Sequence, residues 1–204
     1  MTDPRDAILQ RQVPTVMVPV HGTLEPLQVN GHRFLAAADG VHIEVHRPWL
    51  HVVWPAARSR IPLPYGPAPD CGIAYPFDWK QLMQLVDAFT GMARARLPNE
   101  CGTWIAWSET EQTLRFVESA EIKAGPGRLD YRRPQTRPGE HLVCDLHSHG
   151  RLSAFFSATD DADDAGDVKF AAVVGNLAGT IDLAMRLCLP GGFFIDADEW
   201  ENPA

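Results

Sequence analysis

Cysteine is scarce and scattered in this chain. The four, Cys71, Cys101, Cys144 and Cys188, form no Cys-x-x-Cys pair. That spacing excludes a disulfide framework and a structural zinc knuckle. No apolar run approaches the length of a membrane span. The polar start, Met1-Thr2-Asp3-Pro4-Arg5-Asp6, lacks the apolar core of a signal peptide. Basic runs are missing too: 18 Lys and Arg face 26 Asp and Glu, for a net charge of −8. Nucleic acid is thereby excluded as the main partner. Repeats and low-complexity tracts are absent. What remains is a globular chain of 204 residues, long enough for one or two modest domains. It is expected in the cytoplasm, away from membranes.

Residues 1–75 read as a smaller β-rich module. Thr15 to Val20 is a candidate strand. Asn30-Gly31 suggests a hairpin turn between Leu27-Gln28-Val29 and Arg33-Phe34-Leu35. Asp39-Gly40 is a second turn, before strands over Val41–Val45 and Leu50–Trp54. Prolines at 62, 64, 67 and 69 then forbid a central strand or a helix.

A second module is expected over 76–204. Asp78 is placed to cap a helix, with Gln81 at the capping-box position. Leu82, Leu85, Val86, Phe89, Met92 and Ala93 recur at helical spacing, and Pro98 ends the run. Gly102–Trp107 and Thr113–Ile122 read as a hairpin. The Gly-, Pro- and Arg-rich stretch 124–139 reads as a loop. Leu142–His149 is a strand, and a helix over 158 to about 170 follows, capped by Ser157 or Thr159. Ala171–Gly175 and Arg186–Ile195 are later strands, the last broken at Gly191-Gly192.

The chemistry concentrates between 147 and 160. Side chains two apart on a strand share a face, so His147 and His149 point the same way from the end of their strand. The following helix can bring Asp160 to the same spot, with Ser157 beside it. Two imidazoles and one carboxylate make a three-ligand set for Zn²⁺. A fourth position stays open for water, as in a catalytic site. A hydrolase of this kind also needs a carboxylate base that is not a ligand. Glu100, in Pro98-Asn99-Glu100-Cys101-Gly102 at a helix-to-strand junction, is the candidate.

Glu100-Cys101-Gly102 upstream, then His147-Ser148-His149, seven residues, Ser157, two residues and Asp160, resembles the signature of the JAMM (MPN-plus) metalloproteases. The run Ala154–Asp164 behind a β-rich module is similar to the JAMM proteins of PRTRC-type gene cassettes. There they accompany an E1-like protein and a ubiquitin-like protein. The resemblance implies an α/β (α+β) fold: a mixed sheet flanked by helices, behind the N-terminal module. It implies metal ligation by His147, His149 and Asp160, with Glu100 as general base. Ser157 would help to stabilise the oxyanion. The bond implied is a peptide or isopeptide bond after the C-terminal glycine of a ubiquitin-like or sulfur-carrier protein. A noncatalytic MPN-type scaffold and a small-molecule zinc amidase stay open as alternatives. Many JAMM proteins carry proline after the second histidine, where this chain has Gly150.

Other polar sets read more simply. His42-x-Glu44-x-His46 alternates with Val41, Ile43 and Val45, the pattern of a strand with a wet polar face. Arg128, Arg132, Arg133 and Arg137 read as a solvated loop. Asp161, Asp163, Asp164 and Asp167 lack the spacing of a calcium loop and read as an exposed acidic helix face. Cys101 and Cys144 read as small buried apolar residues.

Overall fold

The computed structural model of the protein describes residues 3–119 and 121–200. The chain divides into two compact units, 3–75 with 198–200, and 76–197.

The first unit opens with helix α1 (Pro4–Gln12), capped by Asp3. Its apolar residues follow no face, and Ile8 and Leu9 are exposed, so no sequence periodicity marks it. A five-stranded sheet follows in the order β1 (Thr15–Met17), β2 (Gly31–Ala37), β3 (Gly40–Arg47), β4 (Leu50–Arg58), β5 (Gly72–Ala74). β1 runs parallel to β2, and the other pairs are antiparallel. The Asp39-Gly40 turn joins β2 to β3, and the proline-rich stretch 61–69 holds no strand or helix.

Two expectations fail in this unit. Leu27-Gln28-Val29 is not a hairpin arm. The Leu27 amide donates to the Glu44 carboxylate at 2.8 Å, so a side chain takes the place of a strand partner. The His42/Glu44 face is not wet. His42 is fully buried and Glu44 is 2 % exposed, because Glu44 is matched by Arg33 Nε at 2.6 Å and His51 Nε2 at 2.9 Å.

The second unit is a mixed α+β domain. Helix α2 (Trp79–Arg96) is capped by the Asp78 carboxylate, which accepts from the Lys80 amide at 2.9 Å. Gln81 does not complete a capping box; its Oε1 accepts from the Leu114 amide at 3.3 Å instead. Leu82, Val86, Phe89 and Ala93 form the buried stripe of α2, which lies against the central sheet. Each large side chain so buried contributes about 2 kcal/mol.

The central sheet has the order β13 (Phe193–Asp196), β12 (Asp182–Leu189), β11 (Lys169–Gly175), β10 (Glu140–Ser148), β6 (Gly102–Ser108), β7 (Thr113–Val117). Every residue of β11 is buried, as befits a strand covered on both faces. β10 and β11 are parallel, and their crossover contains helix α3 (Ala158–Asp164). This helix is shorter than the sequence suggests, since residues from Lys169 onward join the sheet.

The stretch 124–139 is not simply a loop. Two short strands, β8 (Glu121–Gly125) and β9 (Arg128–Tyr131), form a separate ribbon. The second arm of the β6 hairpin accordingly ends at Val117 rather than at Ile122.

Three of the four aspartates also depart from expectation by being held in ion pairs, while Asp163 is exposed as expected. Asp164 is 4 % exposed and meets Lys169 Nζ at 2.7 Å and Arg186 Nη2 at 2.9 Å. Asp161 pairs with Arg186 and Asp167 with Arg133.

Candidate metal centre

β10 alternates as expected, and Asp145 and His147 share the face that continues to His149 just beyond its end. His147 pairs across the ladder with Gly102 of β6, so the chain preceding β6 passes the histidines. Ser148, on the other face, is fully buried. Its amide donates to the Cys101 carbonyl at 2.9 Å, and its hydroxyl accepts the Cys101 amide at 3.1 Å. The middle residue of His-Ser-His thus pins the Glu100 segment beside the histidine strand.

Asp160 arrives from α3 through a capping box. Its Oδ2 accepts the Ser157 amide at 2.6 Å and the Ser157 hydroxyl at 2.7 Å. The Ser157 oxygen in turn accepts the Asp160 amide at 3.3 Å. One carboxylate oxygen is therefore occupied by the cap. The other, Oδ1, faces His147 Nε2 at 3.5 Å, and His147 Nε2 lies 3.2 Å from His149 Nε2. Donors placed tetrahedrally 2.0–2.1 Å from a zinc ion stand about 3.3 Å apart. Among the described residues, His147, His149 and Asp160 alone form such a cluster, with ligand atoms within 4.8 Å of one another. The donor set and its spacing fit zinc.

The connection between the histidines and α3 depends on two glycines. Gly150 has φ +57°, in the left-handed region that proline cannot enter. That accounts for glycine where many JAMM proteins have proline. The segment is tied down nonetheless: the Leu177 amide donates to the Gly150 carbonyl at 2.9 Å, and the Asn176 amide to the Leu152 carbonyl at 2.5 Å. Gly175, at the end of β11, lets the chain cross it. A Cβ there would stand 2.2 Å from the Ala154 nitrogen and 2.4 Å from the Ser153 carbonyl carbon. No local pattern marks this role, since the approach joins residues far apart in the chain.

Glu100 is 6 % exposed. Burial pushes its carboxyl above the ordinary range, the Asp160 charge adds to this, and a hydrogen bond from the Gly127 amide opposes both. A base with a raised pKa is suited to proton transfer near neutrality. His149 is shifted downward by burial and by His147, against opposing effects of Asp160 and the Ser153 carbonyl; that carbonyl forms no full hydrogen bond to His149 Nδ1. The Phe155 ring meets His149 edge-on at 4.6 Å. Glu100, His147, His149, Phe155 and Asp160 border one cleft of about 800 Å³, which Trp104, Tyr131 and Lys169 also line.

Residues 83–188 match the family of prokaryotic homologs of the JAB domain. The chain belongs to that family. In this JAB protein, residues 3–72 match a domain of unknown function, DUF2016. No curated protein matches the chain. The JAB match contains Glu100, Ser157 and all three metal-ligand candidates. None of the described helices is long and apolar enough to cross a membrane.

Proposed function

We propose that this cleft hydrolyses an amide bond with zinc as its cofactor. The bond follows the C-terminal glycine of a ubiquitin-like or sulfur-carrier protein, and an E1-like protein serves the same substrate, as in the cassette-type JAMM proteins the sequence resembles. The observation that carries the hydrolytic reading is the convergence of two ring nitrogens and one uncommitted carboxylate oxygen beside a buried, non-ligating glutamate.

A zinc ion held by His147 Nε2, His149 Nε2 and Asp160 Oδ1 would supply an acidified water and an electrophile for the carbonyl. Glu100 accepts a proton from the attacking water and returns it to the leaving amine. Its burial makes the carboxylate basic enough to take that proton and hold it until the amine leaves. Ser157 holds Asp160 through the cap in the present arrangement. For its hydroxyl to stabilise the oxyanion, the hydrogen must first rotate off Asp160 Oδ2.

The exposed side chains of Leu152 and Phe155 give the cleft an apolar rim for a partner. The β8–β9 ribbon along the cleft offers ladder edges to which an extended tail can add a strand.

The test is hydrolysis of a ubiquitin-like protein carrying an amide-linked group after a Gly-Gly tail. Zinc-loaded wild type is expected to release the group. Glu100→Ala is expected to keep its zinc and lose turnover by about 10²–10⁴-fold. Full zinc occupancy without hydrolysis of the carrier conjugate or of short amides would contradict the enzymatic reading. Hydrolysis of short amides alone would replace the carrier protein with a small-molecule substrate.

A further inference from the structure

The cleft holds more charge than the hydrolytic groups account for. The Tyr131 hydroxyl, at the end of β9, donates to Asp145 Oδ1. Asp145 Oδ2 accepts from Lys169 Nζ at 2.7 Å. Lys169 also reaches Asp164 Oδ1 at 2.7 Å, and Asp164 Oδ2 holds Arg186 Nη2 at 2.9 Å. Arg186 Nη1 then meets Asp161 Oδ1 at 2.6 Å. This chain of alternating charge starts on the β8–β9 ribbon, crosses β10, β11 and β12, and ends on α3. Lys169 and Arg186 are both 4 % exposed. A buried pair that loses one partner leaves an uncompensated charge, so each member holds the next in place.

The other end of the ribbon meets Glu100. The Glu100 amide donates to the Gly125 carbonyl at 3.2 Å, which joins the ribbon to the segment that carries the glutamate. The ribbon belongs to no larger sheet, so strand pairing does not set its distance from Glu100. It is seated instead on Gly102. A Cβ at Gly102 would come within 2.9 Å of Leu129 Cδ2 and 3.0 Å of Tyr131 Cε1. Beyond β9, Arg133 pairs with Asp167 and lies 4.9 Å over the Trp104 ring, which anchors the chain downstream of the ribbon.

We propose that Tyr131 is a positioning residue: by fastening β9 to Asp145, its hydroxyl holds the ribbon's Gly125 carbonyl on the Glu100 amide and so fixes where the Glu100 segment sits. The Glu100 segment is tied to the ribbon, and Asp160 sits on α3. The charged chain ties both to the same three strands. The kinetic consequence rests on the hydrolytic reading given above; the structural consequence does not.

Tyr131→Phe tests this, because it keeps the ring on Gly102 and removes only the hydroxyl. Amide hydrogen exchange is read first, on the full chain. The Glu100 amide is expected to exchange about tenfold faster in Tyr131→Phe, while β10 and β11 amides keep their protection. Zinc affinity should not change. Gly102→Ala lifts the same ribbon from beneath and should give the same pattern, which guards against an effect peculiar to the tyrosine. On the Gly-Gly conjugate, kcat is expected to fall about 10- to 100-fold with KM held. A structural role alone would lower protection throughout the unit and leave kcat per folded molecule intact. Unchanged exchange of the Glu100 amide in Tyr131→Phe overturns the proposal. So does faster exchange with an unchanged kcat. If wild type hydrolyses nothing, the hydrolytic reading fails and exchange of the Glu100 amide alone decides the fastening.

Discussion

The molecule contains two histidine–carboxylate sets laid out on strands, and their lone pairs are spent differently. In the first unit, Glu44 accepts from the Leu27 amide, Arg33 and His51. Its neighbours on the strand do not converge. His42 has its nearest carboxylate oxygen, on Asp39, at 3.6 Å, and the rings of His46 and His51 stand 5.9 Å apart. In the second unit, Asp160 gives one oxygen to Ser157 and keeps the other facing two imidazole nitrogens. Alternate spacing on a strand brings side chains to one face in both cases. Whether the face becomes a fold-stabilising network or a metal centre depends on whether backbone and cationic groups reach the carboxylate first. Arg33 stands directly across the ladder from Glu44, whereas among the described residues' ion pairs no lysine or arginine pairs with Asp160, which faces His147.

The contrast can be broken most forcefully at the two buried glutamates, whose effects on stability should have opposite signs. Burial alone would raise the Glu44 carboxyl, but the Leu27 amide, His51 and Arg33 more than reverse it, so its pKa is lowered. Its contribution is therefore present above the unfolded-state value and lost as pH falls through the folded-state value. Glu44→Gln, which leaves Arg33 without its counter-charge, is expected to cost about 3 kcal/mol at pH 7. The cost should shrink in acid. Glu100 is shifted upward, so in metal-free protein its ionisation destabilises the fold as pH rises through the folded-state value. Glu100→Gln should raise the metal-free melting temperature at pH 7 and change it little below the unfolded-state pKa. Denaturation of both variants across pH checks the signs; the same sign for both would erase the distinction.

A smaller effect sharpens the second set. Ser157→Ala removes the hydroxyl that occupies Asp160 Oδ2. Outer partners of metal ligands are worth about 10- to 100-fold in affinity, so zinc binding should weaken by that factor. A zinc titration with turnover measured at saturating metal separates this from an oxyanion role. Loss of affinity alone assigns the hydroxyl to Asp160, and loss of kcat at full occupancy assigns it to the reacting carbonyl.

Much of the second unit follows from local pattern. The stripe Leu82–Val86–Phe89–Ala93, the alternation of β10 and the Ser157 cap each follow from neighbours in sequence, and they set the elements that carry His147, His149 and Asp160. The supporting parts do not. β8 and β9 are short, and their Gly- and Arg-rich composition resembles a loop. Gly175 owes its role to a backbone crossing from 152–154. The Tyr131–Asp145–Lys169 chain joins three strands whose register no single stretch reveals. In the first unit, Glu44 looked solvated because its partners, Leu27, Arg33 and His51, come from different segments. Gln81 carried the mark of a capping box, yet its amide went to Leu114, a tertiary partner that outcompeted the local one.

The most direct test of the central claim is metal analysis of the dialysed full chain, wild type against His149→Ala, with His46→Ala as the control from the other histidine set. The account predicts one zinc ion per chain for wild type and His46→Ala, and its loss in His149→Ala. Equal zinc in wild type and His149→Ala, or loss in His46→Ala, would contradict it.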